Sequence, residues 1–185
     1  MIEKPQQHAK EEQKHETKRA HRIDDHDNTN GIDMVTGGVW SRPGFLIRRL
    51  HQIHYAMFLE ECKEGGITPV QYGILTVLAH EPWLDQTEIA YEVGLDRTTA
   101  ADVIRRLEEK GLVERRVNRL DRRARQAAVT QKGLDMMDEL QDSMARSQRR
   151  LLQPLRQRDQ KIFMSLLLEL VEANNQYGRA PLKAL

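Results

Sequence analysis

From Pro43 onward the apolar residues of this chain recur with a helical period. Leu46, Leu50, Ile53 and Met57 follow one another at intervals of three or four residues, which is the spacing of one face of an α-helix. An adjoining row contains Ile47, His51, His54 and Phe58. The two rows together form a wide apolar arc on a helix that reaches about Lys63. We therefore expect two different partners to cover this helix.

Capping signals divide the next part of the chain into three helices. Thr68-Pro69-Val70-Gln71 and Asp85-Gln86-Thr87-Glu88 both have the pattern of a capping box, and Asp96 is a third N-cap. The predicted ends are Glu81-Pro82, Gly94-Leu95 and Gly111. The second and third helices are short and joined through a glycine turn, which is the organisation of a helix-turn-helix.

After Gly111 the pattern changes to short strands. Residues 112–117 and 126–129 are strand candidates, and they flank the stretch RRVNRLDRRAR at residues 115–125. A two-stranded hairpin directly after a helix-turn-helix is a wing. Thr130 then caps a long helix to about Leu152, Pro154 breaks it, and a last helix runs from about Asp159 to Tyr177.

These elements predict a mainly α protein with a winged helix-turn-helix lobe, a two-stranded β-wing and a further helical region. We assign residues 65–130 to the winged helix-turn-helix, and residues 39–64 and 131–178 to the helical region. Residues 1–38 are polar and charged and are predicted to form a disordered tail. The spacing of its four histidines fits neither pairs on one helix face nor a zinc knuckle, which favours a solvated tail over a metal-binding segment. Residues 179–185 form a C-terminal tail.

Charge and cysteine content further limit the class of protein that this chain can be. Lys plus Arg is 29 and Asp plus Glu is 28, so a nucleic-acid site must be confined to a patch. The arginine stretch is that patch, with six arginines and one acid, Asp121. The single cysteine, Cys62, excludes an intramolecular disulfide framework. With no long apolar run and no signal-like N-terminus, we expect a cytoplasmic protein.

The helix after Asp96 has the residues of a DNA-reading helix. Ala100, Val103, Ile104 and Leu107 form its core stripe, so the opposite side faces outward. Threonine can meet a base edge or a thymine methyl, and arginine can bind guanine or phosphate. The expected DNA contacts on this helix are Arg97, Thr98, Thr99, Asp102, Arg105 and Arg106. Asp102 either accepts from a cytosine amino group or holds Arg105 or Arg106 in position.

The wing supplies the second set of expected DNA contacts. Its narrow tip can follow the phosphate backbone or enter the minor groove, where arginine is favoured. We expect Arg119 and Arg122 to face outward. Asp121 is expected to form an ion pair that holds Arg123 in position, and Arg123 is the third expected DNA contact of the wing. An ordinary solvated helix and hairpin is the alternative interpretation.

The stretches LDRTTAADVIRRLEEKGLVERR and DRRARQAAVT resemble the multiple antibiotic resistance regulator (MarR) family of bacterial winged-helix repressors. The helix order is similar over residues 43–177. The resemblance implies a homodimer in which the first and last helices of each subunit interleave, so that residues 39–64 and 131–178 form a helical dimerisation region. It also implies a pseudo-palindromic DNA operator and no enzymatic activity or cofactor.

The stretch PGFLIRRLHQIHY, residues 43–55, is similar to MarR members that sense small aromatic carboxylates. The resemblance implies that Arg48 binds the carboxylate and that His54 binds a ring substituent. Tyr72 on the next helix would line the same cavity, and His51 completes the expected effector site. Such a regulator would control catabolism of aromatic compounds. A structural salt bridge to a neighbouring helix is the alternative role for these basic residues.

Other functions remain open at this point. His51 and His54 with Glu60 or Glu61 could bind zinc, and Cys62 could sense peroxide. Against an enzyme, the sequence has no glycine-rich phosphate loop and no recognisable Ser-His-Asp arrangement. A winged helix that binds only proteins is disfavoured by the arginine wing.

Overall fold

The computed structural model describes residues 38–118 and 124–178, and its main elements follow the predicted order. They are α1 (Pro43–Glu61), α2 (Pro69–His80), β1 (Leu84–Asp85), α3 (Gln86–Val93), α4 (Arg97–Glu109), β2 (Val113–Val117), β3 (Arg125–Val129), α5 (Gln131–Leu152) and α6 (Gln157–Asn174). Single 3-10 turns cover Val39–Ser41, Lys63–Gly65 and Asn175–Tyr177. The mainly α fold class with a β-wing is therefore confirmed. Both predicted tails, apart from Gly38, lie outside the described residues.

The predicted caps set the helix starts. Thr68 Oγ1 accepts from the Gln71 backbone N–H at 3.3 Å, and the Gln71 side chain accepts from the Thr68 backbone N–H at 3.1 Å. Asp85 and Glu88 form the same reciprocal pair at 2.9 and 2.8 Å. Gly94 ends α3 with φ 66°, a left-handed conformation that glycine adopts without steric cost.

The sheet has one strand more than the sequence predicted. Its order is β1-β3-β2, and both pairs are antiparallel. The hairpin of β2 and β3, together with the loop between them, is the wing, and Asn118 N–H donates to Ala124 O at 2.9 Å beside that loop. β1 has only two residues, Leu84 and Asp85, which is too short for an alternating pattern to appear in the sequence.

The core lies where α2, α3 and α4 meet the sheet. Its fully buried side chains include Ile74, Leu75, Leu78, Ile89, Ile104 and Leu107. The start of α5 packs tightly on this core, because a Cβ added at Gly133 would clash with the Leu112 carbonyl oxygen and the Val129 side chain. The helix-turn-helix and the wing therefore share one set of buried contacts.

Residues up to Phe45 form a unit separate from Leu46 onward. Within the first unit, the Trp40 and Phe45 rings meet edge to face with centroids 5.0 Å apart. Within the second, α6 has no buried residue, and Phe58 is the one buried residue of α1. Within the described residues, the partners expected to bury the apolar faces of these two helices are therefore not found. In the same residues, no helix is both long and apolar enough to cross a membrane.

Candidate nucleic-acid interface and effector site

The outward side of α4 is set by the burial of its opposite side. Ala100, Ile104 and Leu107 are completely buried, as the periodicity predicted. The remaining face is exposed at Arg97, Thr98, Thr99, Arg105 and Arg106, and half-buried at Asp102. The six residues predicted on this helix are therefore all at least partly exposed.

Asp102 pairs with both arginines of this surface. Its Oδ1 accepts from Arg105 at 2.6 Å, and its Oδ2 accepts from Arg106 at 2.8 Å. The hydrogen bond from Arg105 is the main cause that lowers the pKa of the Asp102 carboxyl. Arg105 also donates to Glu109 at 2.5 Å. Of the two roles considered for Asp102, this geometry favours positioning of the arginines.

Thr99 is occupied by the cap of its own helix. Its backbone N–H donates to Asp96 Oδ1 at 2.9 Å, and its hydroxyl donates to Asp96 Oδ2 at 2.7 Å. A threonine hydroxyl has a single proton to donate. Thr99 therefore has its methyl group and oxygen lone pairs, rather than its proton, available for a base.

The predicted wing contacts Arg119, Arg122 and Arg123, with Asp121, lie outside the described residues. The arginines that flank them have different surroundings. Arg115 is turned inward, and its Nε donates to Glu108 Oε2 at 2.7 Å, which ties β2 to α4. Arg116 and Arg125 are exposed.

A cavity of about 380 Å³ lies where the starts of α3 and α4 meet the outer part of the wing. Three arginines, Arg97, Arg115 and Arg125, line it, together with Asp85, Gln86, Thr87 and Ala124. The backbone N–H groups of Thr87 and Glu88 at the start of α3 already donate to the Asp85 side chain. The positive charge of this cavity therefore comes from its three arginines, which outnumber its one carboxylate. The inward position of Arg115 was not predicted from the sequence, because it depends on how β2 packs against α4.

The predicted effector residues lie on two helices. Arg48 and His51 are exposed on α1, while His54 on α1 and Tyr72 on α2 are half-buried. The Tyr72 ring lies 6.1 Å from that of Phe58, edge to face. Burial is the main cause that raises the pKa of the Tyr72 hydroxyl, so this group stays protonated and can donate a hydrogen bond.

His54 has a partner that the sequence did not indicate. Its Nε2 lies 3.3 Å from the side-chain nitrogen of Gln148 on α5. Burial lowers the pKa of His54, and the nearby His51 lowers it further. A neutral imidazole is therefore favoured at this position. No local sequence signal relates Gln148 to His54, because the two residues are 94 positions apart.

The carboxylates considered as zinc ligands bind arginines instead. Glu61 accepts from Arg146 at 3.0 Å and from Arg150 at 3.2 Å, and Glu60 pairs with Arg150 at 3.0 Å. The hydrogen bond from Arg146 is the main cause that lowers the pKa of Glu61. Within residues 38–118 and 124–178, no group of three or more His, Cys, Asp and Glu side chains is placed to hold a metal ion.

Cys62 lies in the core and is 1% exposed. Burial raises the pKa of its thiol, and the charge of Glu61 acts in the same direction. The thiolate is the form that reacts with peroxide. The surroundings of Cys62 are therefore those of a packing residue.

A helix-turn-helix, a wing and a cationic surface between them define a winged-helix DNA-binding protein. The model of the MarR family matches residues 65–124, which contain these elements. A transcriptional regulatory protein for the hcr operon of Thauera aromatica is 30% identical over 120 residues, 64% of this chain and 72% of the relative. The chain belongs to the MarR family of transcriptional regulators.

Two solved structures have the same fold. The PcaV transcriptional regulator from Streptomyces coelicolor, in complex with its natural ligand, has a TM-score of 0.69 and 34% identity, covering 76% of this chain and 99% of that one. The transcriptional repressor CouR, bound to a 23-mer DNA duplex, has a TM-score of 0.68 and 26% identity, covering 73% and 96%. These relatives are regulators, so the prediction of a DNA-binding regulator rather than an enzyme is confirmed.

Proposed function

We propose that this regulator binds a pseudo-palindromic operator as a homodimer, represses transcription and is released from DNA by a small aromatic carboxylate. The outward face of α4 carries the proposal. Three arginines and two threonines of this helix are exposed, and an arginine-lined cavity lies between the start of the helix and the wing. This arrangement suits a helix in the major groove with the wing on the adjacent backbone.

The apolar surfaces of α1 and α6 support a dimer. Both helices expose large aliphatic side chains: Leu46, Ile47, Ile53 and Leu59 on α1, and Ile162, Met164, Leu166, Leu168, Leu170 and Val171 on α6. Clustered exposed apolar residues of this kind mark interaction surfaces, because leaving them in water is unfavourable. A second copy of the chain is the occupant that the family resemblance implies. Interleaved α1 and α6 helices would cover both surfaces.

Repression is the mode of action that we favour. CouR, which shares this fold, is a transcriptional repressor bound to DNA. A repressor must lose DNA affinity when its effector arrives, so the effector must prefer a dimer whose recognition helices are wrongly spaced.

The effector site that we propose consists of Arg48, His51, His54 and Tyr72. The relative PcaV has a natural ligand, and residues 43–55 resemble members that sense aromatic acids. Arg48 would bind the carboxylate, while His54 and the Tyr72 hydroxyl would bind ring substituents. Because α2 leads into the DNA-binding lobe, a ligand held by both helices would fix the angle between the two regions. We expect the regulated genes to serve the catabolism of that acid.

DNA footprinting combined with sedimentation tests the DNA-binding part. We expect a symmetric footprint with half-sites about 10 to 10.5 base pairs apart and a dimeric mass. Replacing Leu166 on α6 by Lys should produce monomers that bind the operator weakly, whereas Lys in place of the exposed Gln141 of α5 serves as the control. A wild-type monomer protecting one half-site would contradict the proposal.

A thermal-shift screen of benzoate-like and pyridine-carboxylate acids tests the effector. A ligand at a hundred times its dissociation constant adds about 2.7 kcal/mol to the free energy of unfolding, which is easily measured. Acids that raise the melting temperature should then release operator DNA. If none of them raises it, Arg48 and His54 have a structural role instead.

A further inference from the structure

Trp83 has an unusual backbone conformation. Its φ is 69°, and no other non-glycine residue in the described part of the chain has a positive φ. A bulky side chain rarely adopts this conformation, whereas glycine does so without cost. The Trp83 N–H donates to the Ala127 carbonyl of β3 at 2.8 Å, which holds the strained residue against the wing. Strained residues of this kind concentrate at functional sites.

The Trp83 ring supports one arginine of the wing. The Cζ atom of Arg116 lies 3.7 Å from the ring centroid, which is a close cation–π contact. Arg116 Nε also donates to the Gln126 side chain at 3.2 Å. Gln126 stands opposite Arg116 in the β2–β3 pair and opposite Asp85 in the β1–β3 pair. The guanidinium group of Arg116 is thus held by the Trp83 ring against its face and by Gln126 at its Nε atom.

Two features indicate what this arginine binds. Arg116 is exposed and lies in the outer half of the wing, one residue before the end of β2. Its face and Nε are occupied by Trp83 and Gln126, which leaves its terminal amino groups to bind a ligand. An arginine fork of that kind matches the two oxygens of a phosphate. Contacts at such a position fix a protein on the duplex rather than read bases.

We propose that Trp83 is a positioning residue for DNA binding, which holds Arg116 ready for a backbone phosphate of the operator. The inference rests on the proposed contact of the wing with DNA. Ordering the guanidinium before DNA arrives removes part of the conformational entropy that binding would otherwise cost. The left-handed backbone of Trp83 is what places the ring under Arg116 from the short connection between α2 and β1.

Replacement of Trp83 by Gly distinguishes an effect on the position of Arg116 from an effect on the stability of the fold. Glycine relieves the positive φ while removing the ring, so the melting temperature should stay close to that of the wild type. Operator affinity should nevertheless fall about two- to fivefold. Phe in place of Trp83 should retain most of the affinity, since it keeps an aromatic face, whereas Leu should not. Wild-type affinity in the Gly variant, or equal affinities in the Leu and Phe variants, overturns the proposal.

A double-mutant cycle tests whether Trp83 acts through Arg116. Arg116→Ala should reduce affinity and lower the salt dependence of binding by about 0.9 for each lost phosphate contact. Adding Trp83→Gly to Arg116→Ala should cause no further loss of affinity. Additive losses would mean that Trp83 acts elsewhere. Arg149→Ala, at an exposed arginine of α5, is the control and should leave the salt dependence unchanged.

The wing itself is tested by Arg122→Ala. If Arg122→Ala weakens DNA binding but Arg116→Ala does not, the positioning proposal fails while the proposed function stands. If neither variant changes affinity or salt dependence, the proposed contact between wing and DNA fails as well.

Discussion

The side-chain amide of Gln148 lies 3.3 Å from Nε2 of His54, where it can donate a hydrogen bond only to a neutral imidazole. This contact joins α5 to α1 close to the ion pairs of Glu61 with Arg146 and Arg150. The position of His54 on α1 is therefore fixed from a helix that the sequence did not connect with the proposed effector site.

The protonation of His54 should depend on this contact. Its pKa lies below the ordinary value of 6.5, because of burial and then His51. As pH falls below about 6.5, the unfolded chain takes up this proton before the folded protein does. The contribution of His54 to the free energy of unfolding is therefore complete above pH 6.5 and declines as pH falls through the folded-state pKa.

An NMR titration of the His54 imidazole tests this prediction, with His54→Asn used to assign its signal. We expect a midpoint below 6.5, and Gln148→Ala should shift the midpoint upward because the neutral form loses a donor. A midpoint at or above 6.5 in the wild type would show that the imidazole is not held neutral.

Arg48→Ala should separate operator binding from release. We expect normal affinity for the operator, because Arg48 lies on α1 and not on the DNA-binding face. A charge-assisted hydrogen bond contributes about 1.5 to 3 kcal/mol, so the acid concentration needed for release should rise about 10- to 100-fold. A release assay monitored by fluorescence anisotropy measures both quantities.

Arg49→Ala is the matched control, since Arg49 is the next arginine on α1 and donates to Gln52 at 3.1 Å. It should respond to the acid as the wild type does. Release from the Arg48→Ala variant at an unchanged acid concentration would place the carboxylate elsewhere.

Asp102→Asn should reduce discrimination between operator and other DNA. The substitution removes the negative charge that holds Arg105 and Arg106, so the net positive charge of this surface increases although Arg105 keeps its contact with Glu109. We expect tighter binding to unrelated DNA, a steeper salt dependence and a smaller ratio of specific to nonspecific affinity. Asp142→Asn on α5 makes the same change in net charge away from α4 and should alter none of these. An unchanged affinity ratio in Asp102→Asn would rule out the positioning role.

Cys62 should be chemically inert in the folded protein. Its burial and raised thiol pKa disfavour the thiolate, so modification by thiol reagents should require unfolding. Cys62→Ala should bind and release DNA normally, with a free energy of unfolding lowered by about 1 kcal/mol. Peroxide-induced release of DNA from the wild type but not from this variant would establish a sensor instead.

The sequence by itself determined the elements whose causes are local. The capping boxes at Thr68 and Asp85 and the turn at Gly94 involve residues within four positions of one another, so their interactions can be inferred from spacing alone. The buried stripe of α4 was equally predictable, because a helical period assigns each residue to a face. The six predicted DNA contacts of α4 are all at least partly exposed, in keeping with this buried stripe.

Only the tertiary structure decided which partners the remaining residues meet. Periodicity shows that a side chain faces inward or outward, but it does not identify the segment packed against it. The two residues of β1 form a strand because β3 offers its edge, and the Trp83 ring reaches Arg116 because that pairing brings them together. Gln148 likewise meets His54 only because α5 packs beside α1. Such contacts depend on how the helices and strands pack, and no spacing along the chain encodes them.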